Sequence, residues 1–512
     1  MLRRVRHRGG CVRSRVSTDV SGRPGSAGRS GSGPKKSRTT SRVRRKVVAA
    51  AVAAAAILPV VSACGAGYEA GVLNFYPPAD GADTFAAIGD KCSAESGGAY
   101  KVVTTPLPKG ADDQRLQLAR RLAGNDAGLD LMGMDVVWTA EFADAGWMVP
   151  VPDELAAAVT ERSLGGPLDT AVWKTEDDEN ERLYAIPFST NTQLLWYRKD
   201  VLEDKVGRKR PASTWDGMLE DALISGRNGG PTYIMVQGRQ YEGLMVWFNS
   251  VLVSAGGQVV DPDDPDKVTL NDTPEHRAAT VRALRTLKAV ATAPGHDPSL
   301  SNSDEGSARL GMESGKALYE VNWPFVFPGM RENAIAGSVP FLDLKRFANL
   351  YADPNNPPSD RDVIPVNREM QKVFDFAPYP GFEGLPTKTT LGGLNIAVAS
   401  TSKQQDLAWQ AAECITNEAS QKMFSLNAGP PPVIESIYDD RDFRLAYPMW
   451  EEIKRQLEPE HAAVRPKSPD YQAISTLLQA KLSPVGAWDP ETLVDELADA
   501  VQKAINGEGL IP

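Results

Sequence analysis

The sequence predicts an α/β fold built from parallel strand–helix units, and three observations lead there. Short apolar runs bounded by Gly, Pro and Asn alternate with longer segments whose apolar residues recur at helical spacing. The alternation repeats along most of 512 residues, ample for a large core divided into two or three lobes. No internal repeat of 20 to 50 residues is visible, which argues against a solenoid or a propeller.

Val72-Leu73-Asn74-Phe75-Tyr76 reads as a buried strand stopped by Pro77-Pro78. Residues 84–96 carry Phe85, Ile88 and Cys92 on one helical face, and 102–105 form a second strand. Residues 113–122 are amphipathic through Leu116, Leu118 and Leu122, and Leu129-Asp130-Leu131-Met132 is a third strand running toward Asp135-Val136-Val137-Trp138. Strands and helices at this interval imply βαβ units. The pattern returns with a helix over 280–290, strands at 317–323 and 396–399, a helix over 406–416, and an amphipathic helix over 491–505. Between Gln258-Val259-Val260 and Val268-Thr269-Leu270, the Asp- and Pro-rich run 261–266 reads as a hairpin tip, because it lacks the Gly and the distant Glu of an EF-hand loop.

The amino terminus is of another kind. Arg44, Arg45 and Lys46 precede an apolar run over 47–61, and Ser62 and Ala63 lead into Cys64. A basic stretch, a short apolar stretch and a small-residue exit form a secretory signal, and the run is short for a membrane helix, which is the alternative. Val61-Ser62-Ala63-Cys64 resembles the bacterial lipobox, which implies lipidation of Cys64 and a tether over 64–71. The first 42 residues, rich in Arg, Ser and Gly, cannot bury enough surface to fold. Either residues 1–63 are a long disordered leader plus signal, or translation starts later, for instance at Val43.

The whole chain has 56 Lys or Arg and 66 Asp or Glu; without residues 1–63, which hold 15 of the former and one Asp, 41 basic and 65 acidic side chains remain. A net charge near −24 repels nucleic acid, so no such partner is expected. Beyond Cys11 in the leader and Cys64, only Cys92 and Cys414 are left. An oxidising compartment would let them pair; two separate buried thiols are the alternative.

Chemistry-bearing motifs are absent. Beyond His7, the histidines His276, His296 and His461 sit in polar, turn-like surroundings. There is no Gly-x-Ser-x-Gly elbow, no HExxH, no paired-Cys metal spacing, no Walker loop and no GxGxxG. No metal, cofactor or catalytic residue is expected. A pair of carboxylates working as in a glycosidase is the rival that counting residues leaves open.

Four segments together resemble the extracytoplasmic solute-binding proteins of carbohydrate ABC importers, the maltose-binding-protein-like superfamily. They are Tyr184-Ala185-Ile186-Pro187 followed by Asn191-Thr192-Gln193-Leu194-Leu195-Trp196-Tyr197-Arg198-Lys199-Asp200; Pro211 with Thr214-Trp215-Asp216; Gly315-Lys316-Ala317-Leu318; and Gly392-Gly393-Leu394-Asn395-Ile396-Ala397-Val398. The runs 114–122, 135–142, 242–257 and 320–327 are similar, more narrowly, to trehalose-binding lipoproteins of the LpqY type. The resemblance spans about 70–510.

That resemblance implies a two-lobed type II periplasmic-binding-protein fold whose interlobe cleft closes over a sugar. It implies crossings near 187–191, 320–324 and 388–395, with lobe 1 formed by 72–190 and 324–390 and lobe 2 by 191–323 and 391–512. It also implies a monomer, tethered to the outer face of the cytoplasmic membrane, that delivers a disaccharide to permease subunits driven by a cytoplasmic ATPase. By the same resemblance Asp135, Asn191, Glu305, Trp323, Gly393 and Leu394 match the trehalose contacts of the family.

The residue types suit that task. Sugar hydroxyls need fixed carboxylates and amides, and the C–H faces of the rings need aromatic cover. Charge-assisted hydrogen bonds to Asp135 and Glu305 would contribute about 1.5–3 kcal/mol each, and Gly393 and Leu394 can offer backbone groups. The bland readings are that Asp135 caps the following helix, Asn191 satisfies hinge backbone, and Trp323 is core. Trp138, Trp196 and Trp247 lie in apolar runs and read as core. One departure stands out: trehalose-binding lipoproteins carry a sugar-contacting Arg at the position aligned with Ile434.

Overall fold

The computed structural model describes residues 67–352 and 360–508. The leader, Cys64, the start of the tether, residues 353–359 and residues 509–512 lie outside these residues.

Two mixed sheets organise the chain. Across the first, the strand order is Lys101–Thr104, Val72–Tyr76, Leu131–Asp135, Gly392–Val398, Ile186–Asn191. The three amino-terminal strands are parallel, as their helical connections require, whereas Gly392–Val398 runs antiparallel to both neighbours. The second sheet has the order Phe374–Ala377, Leu194–Arg198, Ala317–Asn322, Tyr233–Met235, with one parallel pair, between Ala317–Asn322 and Tyr233–Met235. The parallel βαβ units expected from strand–helix alternation are therefore present, but only locally. The strands that enter from the other sheet arrive reversed, which periodicity cannot show.

Each sheet carries its own core. Phe75, Phe85, Phe188, Ile396 and Phe424 pack on the first, with Phe85 and Phe188 ring centroids 4.6 and 4.8 Å from that of Phe424. On Leu194–Arg198 the side chains alternate between two clusters, Leu195 and Tyr197 on one face and Leu194 and Trp196 on the other. A strand covered on both faces reads as a continuous apolar run, as this one does.

The path between the sheets differs from expectation. The chain first crosses between Asn191 and Leu194, just past the stretch 187–191 expected to cross, and residues 320–324 do not cross. Ala317–Asn322 leads into helix Val326–Ala336, which packs beside Leu194 and Trp196 of the same sheet. Phe374–Ala377, expected in lobe 1, pairs with Leu194–Arg198 of the second sheet. The return crossing lies at Leu391, between Thr389–Thr390, bonded to Ser250, and Gly392–Val398. Gly392–Val398 and helices Gln405–Ile415 and Glu418–Ala428, expected in lobe 2, belong to the first core. The chain leaves again past Gly429, and helices Tyr471–Leu482 and Pro490–Ile505 complete the second core. A lobe assembled from distant segments leaves no local composition signal.

Local chemistry sets some of the boundaries. Helix Pro274–Thr292 starts with Thr273 accepting from the His276 amide at 3.1 Å and Pro274 in the first turn. The Asp-rich tip is an antiparallel hairpin, Val260–Asp261 against Asp264–Val268, with Lys267 3.0 Å from Asp261. Among the described residues no group of His, Cys, Asp and Glu could hold a metal ion, and no helix is long and apolar enough to cross a membrane. Trp138, Trp196 and Trp247 are all core residues.

The sulfurs of Cys92 and Cys414 are bonded, tying helix Ala82–Glu95 to helix Gln405–Ile415 across 322 residues of sequence. Closing so long a loop restricts the unfolded chain, so Cys92→Ser with Cys414→Ser is expected to lower stability by about 2–5 kcal/mol. Urea unfolding of the oxidised protein beside the double variant measures it; coincident curves contradict it.

Candidate functional site

Two strand ends and one crossing build the site. Leu131–Asp135 ends with the Asp135 carboxylate, whose Oδ1 accepts from the Val137 amide at 3.2 Å and from Arg465 Nη2 at 2.9 Å. Asp135 thus caps the short turn Val136–Trp138, its bland reading. In register with Asp135 lies Leu394, whose side chain is in the first core. Any contribution from Leu394 to a ligand is therefore through its backbone.

Gly393 is held in a conformation that L side chains rarely adopt, φ +146°, opposite Thr190. A Cβ there would stand 2.4 Å from Ser189 O and 2.9 Å from Thr190 Cα. The strain coincides with a register shift, where Leu394 faces Ser189 and Asn395 faces Pro187. Pro187 has no amide to donate to the ladder, and a bulge absorbs the mismatch. Gly392 pairs with Asn191, and a Cβ on Gly392 would lie 3.1 Å from the Trp323 ring and 3.4 Å from Asn191 Cβ. Trp323, Asn191 and the two glycines therefore form one wall.

Asn191 does not spend its side chain on hinge backbone. Its Oδ1 is buried with no hydrogen-bond partner among the described residues. An orphaned buried acceptor costs about 1–3 kcal/mol unless something donates to it. Trp323 is half-buried rather than core. Its amide donates to Asn322 Oδ1 at 2.9 Å, while Asn322 Nδ2 donates to Glu305 O at 2.9 Å and to Glu320 Oε1 at 2.7 Å. One buried amide thus fixes both Trp323 and the start of helix Glu305–Glu313. That helix begins in a capping box, with Asp304 accepting from the Ser307 amide at 2.9 Å and the Asp304 amide donating to Ser307 Oγ at 2.7 Å. Burial raises the Glu305 carboxyl above its ordinary range and Asp304 adds to this; its own amide and the Tyr241 and Trp323 side chains pull the other way. The structure brings all six expected positions into one connected group.

Sequence reasoning missed Tyr241, Glu242 and Arg465. Arg465 donates to Asp135 and, through Nη1, to Glu242 Oε1 at 2.7 Å. Glu242 also accepts from Ser475 Oγ at 2.6 Å and from the Tyr471 hydroxyl. Burial drives the Glu242 acid upward, and Arg465 opposes it. Burial works against the Arg465 charge, but Asp135, Tyr471 and Glu242 together hold its basicity above the usual. A single Arg in the Pro-rich run Val464-Arg465-Pro466-Lys467 carries no spacing signal. Ile434, aligned with the family's sugar-contacting Arg, is 2% exposed and belongs to a hydrophobic core cluster, so its side chain does not reach a ligand. A cavity of about 440 Å3 is lined by Pro324, Phe325, Arg309, Arg331, Asn427 and Gly429, without Trp323.

With two sheets, crossing strands and polar groups gathered at the crossing, the architecture can be set beside known proteins. The family model described as bacterial extracellular solute-binding protein matches residues 78–422. The chain belongs to that family. A probable ABC transporter-binding protein of Deinococcus radiodurans is 25% identical over 381 residues, 70% of this chain and 75% of its own. Maltose-bound MalE3 of T. maritima superposes with a TM-score of 0.65 at 22% identity, covering 84% of this chain and 99% of that one. The GacH receptor of Streptomyces glaucescens, described unliganded and with acarbose, gives 0.64 at 18% identity, covering 86% and 100%. The fold is accordingly the two-lobed type II periplasmic-binding fold.

The carboxyl of Glu320 supports this wall from behind. It is fully buried, Oε2 has no hydrogen-bond partner among the described residues, and its pKa is pushed up to about 8, first by burial and then by Glu313, against Asn322 and Arg309. An acid whose folded pKa lies above its unfolded value makes stability fall as pH rises from about 4.5 toward 8, where the folded protein must give up the proton. Glu320→Gln is expected to raise the melting temperature more at pH 9 than at pH 5. Equal shifts at both pH values contradict this.

Proposed function

We propose that the protein is a lipid-anchored receptor of an ABC sugar importer, which captures a disaccharide, trehalose foremost, outside the cytoplasmic membrane. One observation carries the reading: the Trp323 ring stands against the Gly392 backbone beside the orphaned Oδ1 of Asn191, and Glu305, whose carboxyl is buried, is tied to the same strand end through its backbone carbonyl. An aromatic face, an unmet acceptor and a buried carboxyl are what a neutral, hydroxyl-rich ring requires. Family membership supports the role, and the maltose and acarbose bound by MalE3 and GacH support the ligand class.

In this reading open and closed forms interconvert, and sugar favours the closed form by touching both lobes. The closed monomer hands the sugar to permease subunits powered by a cytoplasmic ATPase, its acidic surface docking on their basic loops. The chain performs no chemical step, and nothing favours the alternative, a glycoside hydrolase. The buried Ile434 withholds the donor that trehalose-binding lipoproteins place at that position, which costs about 1–3 kcal/mol unless another group replaces it. Related disaccharides therefore compete with trehalose.

A melting screen of the purified protein against a panel of mono- and disaccharides tests the proposal. Ligand at 100 times its Kd adds about 2.7 kcal/mol of apparent stability, a rise readily seen. The largest shift is expected with trehalose or a close relative; no shift with any sugar overturns the proposal.

A further inference from the structure

Residues 464–472 connect the short strand Ala462–Ala463 to helix Tyr471–Leu482 of the second lobe, and they reach across to the first lobe three times. Arg465 Nη2 meets Asp135 Oδ1, Lys467 Nζ meets Asp169 Oδ1, and Gln472 Nε2 meets Asp112 Oδ1, each at 2.9 Å. The three acceptors sit on separate elements of the first lobe: a strand end, helix Gly165–Asp169 and helix Ala111–Ala123. On the second-lobe side, Arg465 is anchored by Glu242, the first residue of helix Glu242–Ser254, where the helix dipole favours an anion. The Arg465 side chain is 3% exposed, with Asp135 at 23% and Glu242 at 16%.

We propose that Arg465 is a positioning residue and an interlobe clasp: it fixes the Asp135 carboxylate for ligand and, with Lys467 and Gln472, biases the open–closed equilibrium toward the closed form before any ligand arrives. Parting the lobes breaks the Arg465–Asp135 pair while Glu242, Tyr471 and Ser475 stay together, so opening exposes Asp135 and leaves Arg465 with one carboxylate. A buried, charge-assisted bridge is harder to break than a rim ion pair. Because apparent affinity scales with the fraction of protein in the binding-competent form, the clasp also sets how tightly sugar is held.

Spin labels at the exposed positions Glu161 and Glu496 report the separation of the lobes in sugar-free protein. Wild type is expected to give a short distance. Asp135→Asn, which removes only the first-lobe end of the bridge, and the surface variant Lys467→Ala with Gln472→Ala are both expected to shift it to longer values. In the surface variant saturating sugar restores the short distance, with an apparent affinity lowered several-fold. A long distance in sugar-free wild type, or distributions in the variants that coincide with wild type, overturns the clasp. Should Asp135→Asn fail to fold, the surface variant decides. The distances are read without sugar, so failure of the clasp and failure of the sugar-receptor reading remain distinguishable.

Discussion

Replacing Trp323 by Ala is expected to abolish measurable disaccharide binding while the protein still unfolds cooperatively. The ring is half-buried, and it leans on Gly392 beside Asn191, so its free face is available to the apolar side of a sugar. Removing a central aromatic anchor typically costs 2 kcal/mol or more, and about 3 kcal/mol corresponds to roughly a hundredfold loss of affinity. The fold is insulated from the change, because the side chain lies at a strand end beyond the buried run Ala317–Asn322. Trp323→Phe keeps a smaller aromatic face and is expected to recover part of the affinity. Titration calorimetry of the three proteins measures the series, and unchanged affinity in Trp323→Ala removes the residue from the site.

Gly393→Ala is expected to damage both stability and binding. The position combines φ +146° with a Cβ 2.4 Å from Ser189 O, so the added methyl meets backbone that no rotamer change can move. Strain of this kind costs about 1–3 kcal/mol before any clash is counted. Relief requires the crossing strands to separate, which displaces Asn191 and the support under Trp323. A destabilisation of about 2–4 kcal/mol in urea, with sugar affinity lowered at least tenfold in the remaining folded protein, is the expected result. Gly393→Ala with the urea midpoint of wild type contradicts the strained backbone.

What the sequence revealed follows from how locally each feature is encoded. Val72–Tyr76, helix Ala82–Glu95 and helix Pro490–Ile505 were legible because their apolar spacing and Pro stops act over a few residues. Lobe membership was not legible for Phe374–Ala377 or Gly392–Val398, since either strand suits either sheet and only long-range pairing decides. The six candidate contacts came from resemblance, and strand ends and glycines made them physically sensible. Arg465 stayed hidden because its partners Asp135 and Glu242 lie 330 and 223 residues away. Ile434 shows the opposite difficulty: alignment places it at a contact position, while the structure buries its side chain in a hydrophobic cluster and its backbone bridges Ser163 and donates to Gln421.

Equilibrium dialysis of the purified protein against radiolabelled trehalose, followed by denaturation and chromatography of the released label, tests the central claim most directly. Saturation at one sugar per chain, with all released label recovered as intact trehalose, is the predicted result. Label recovered as glucose, or no retention of trehalose or of any disaccharide substituted for it, would contradict the account.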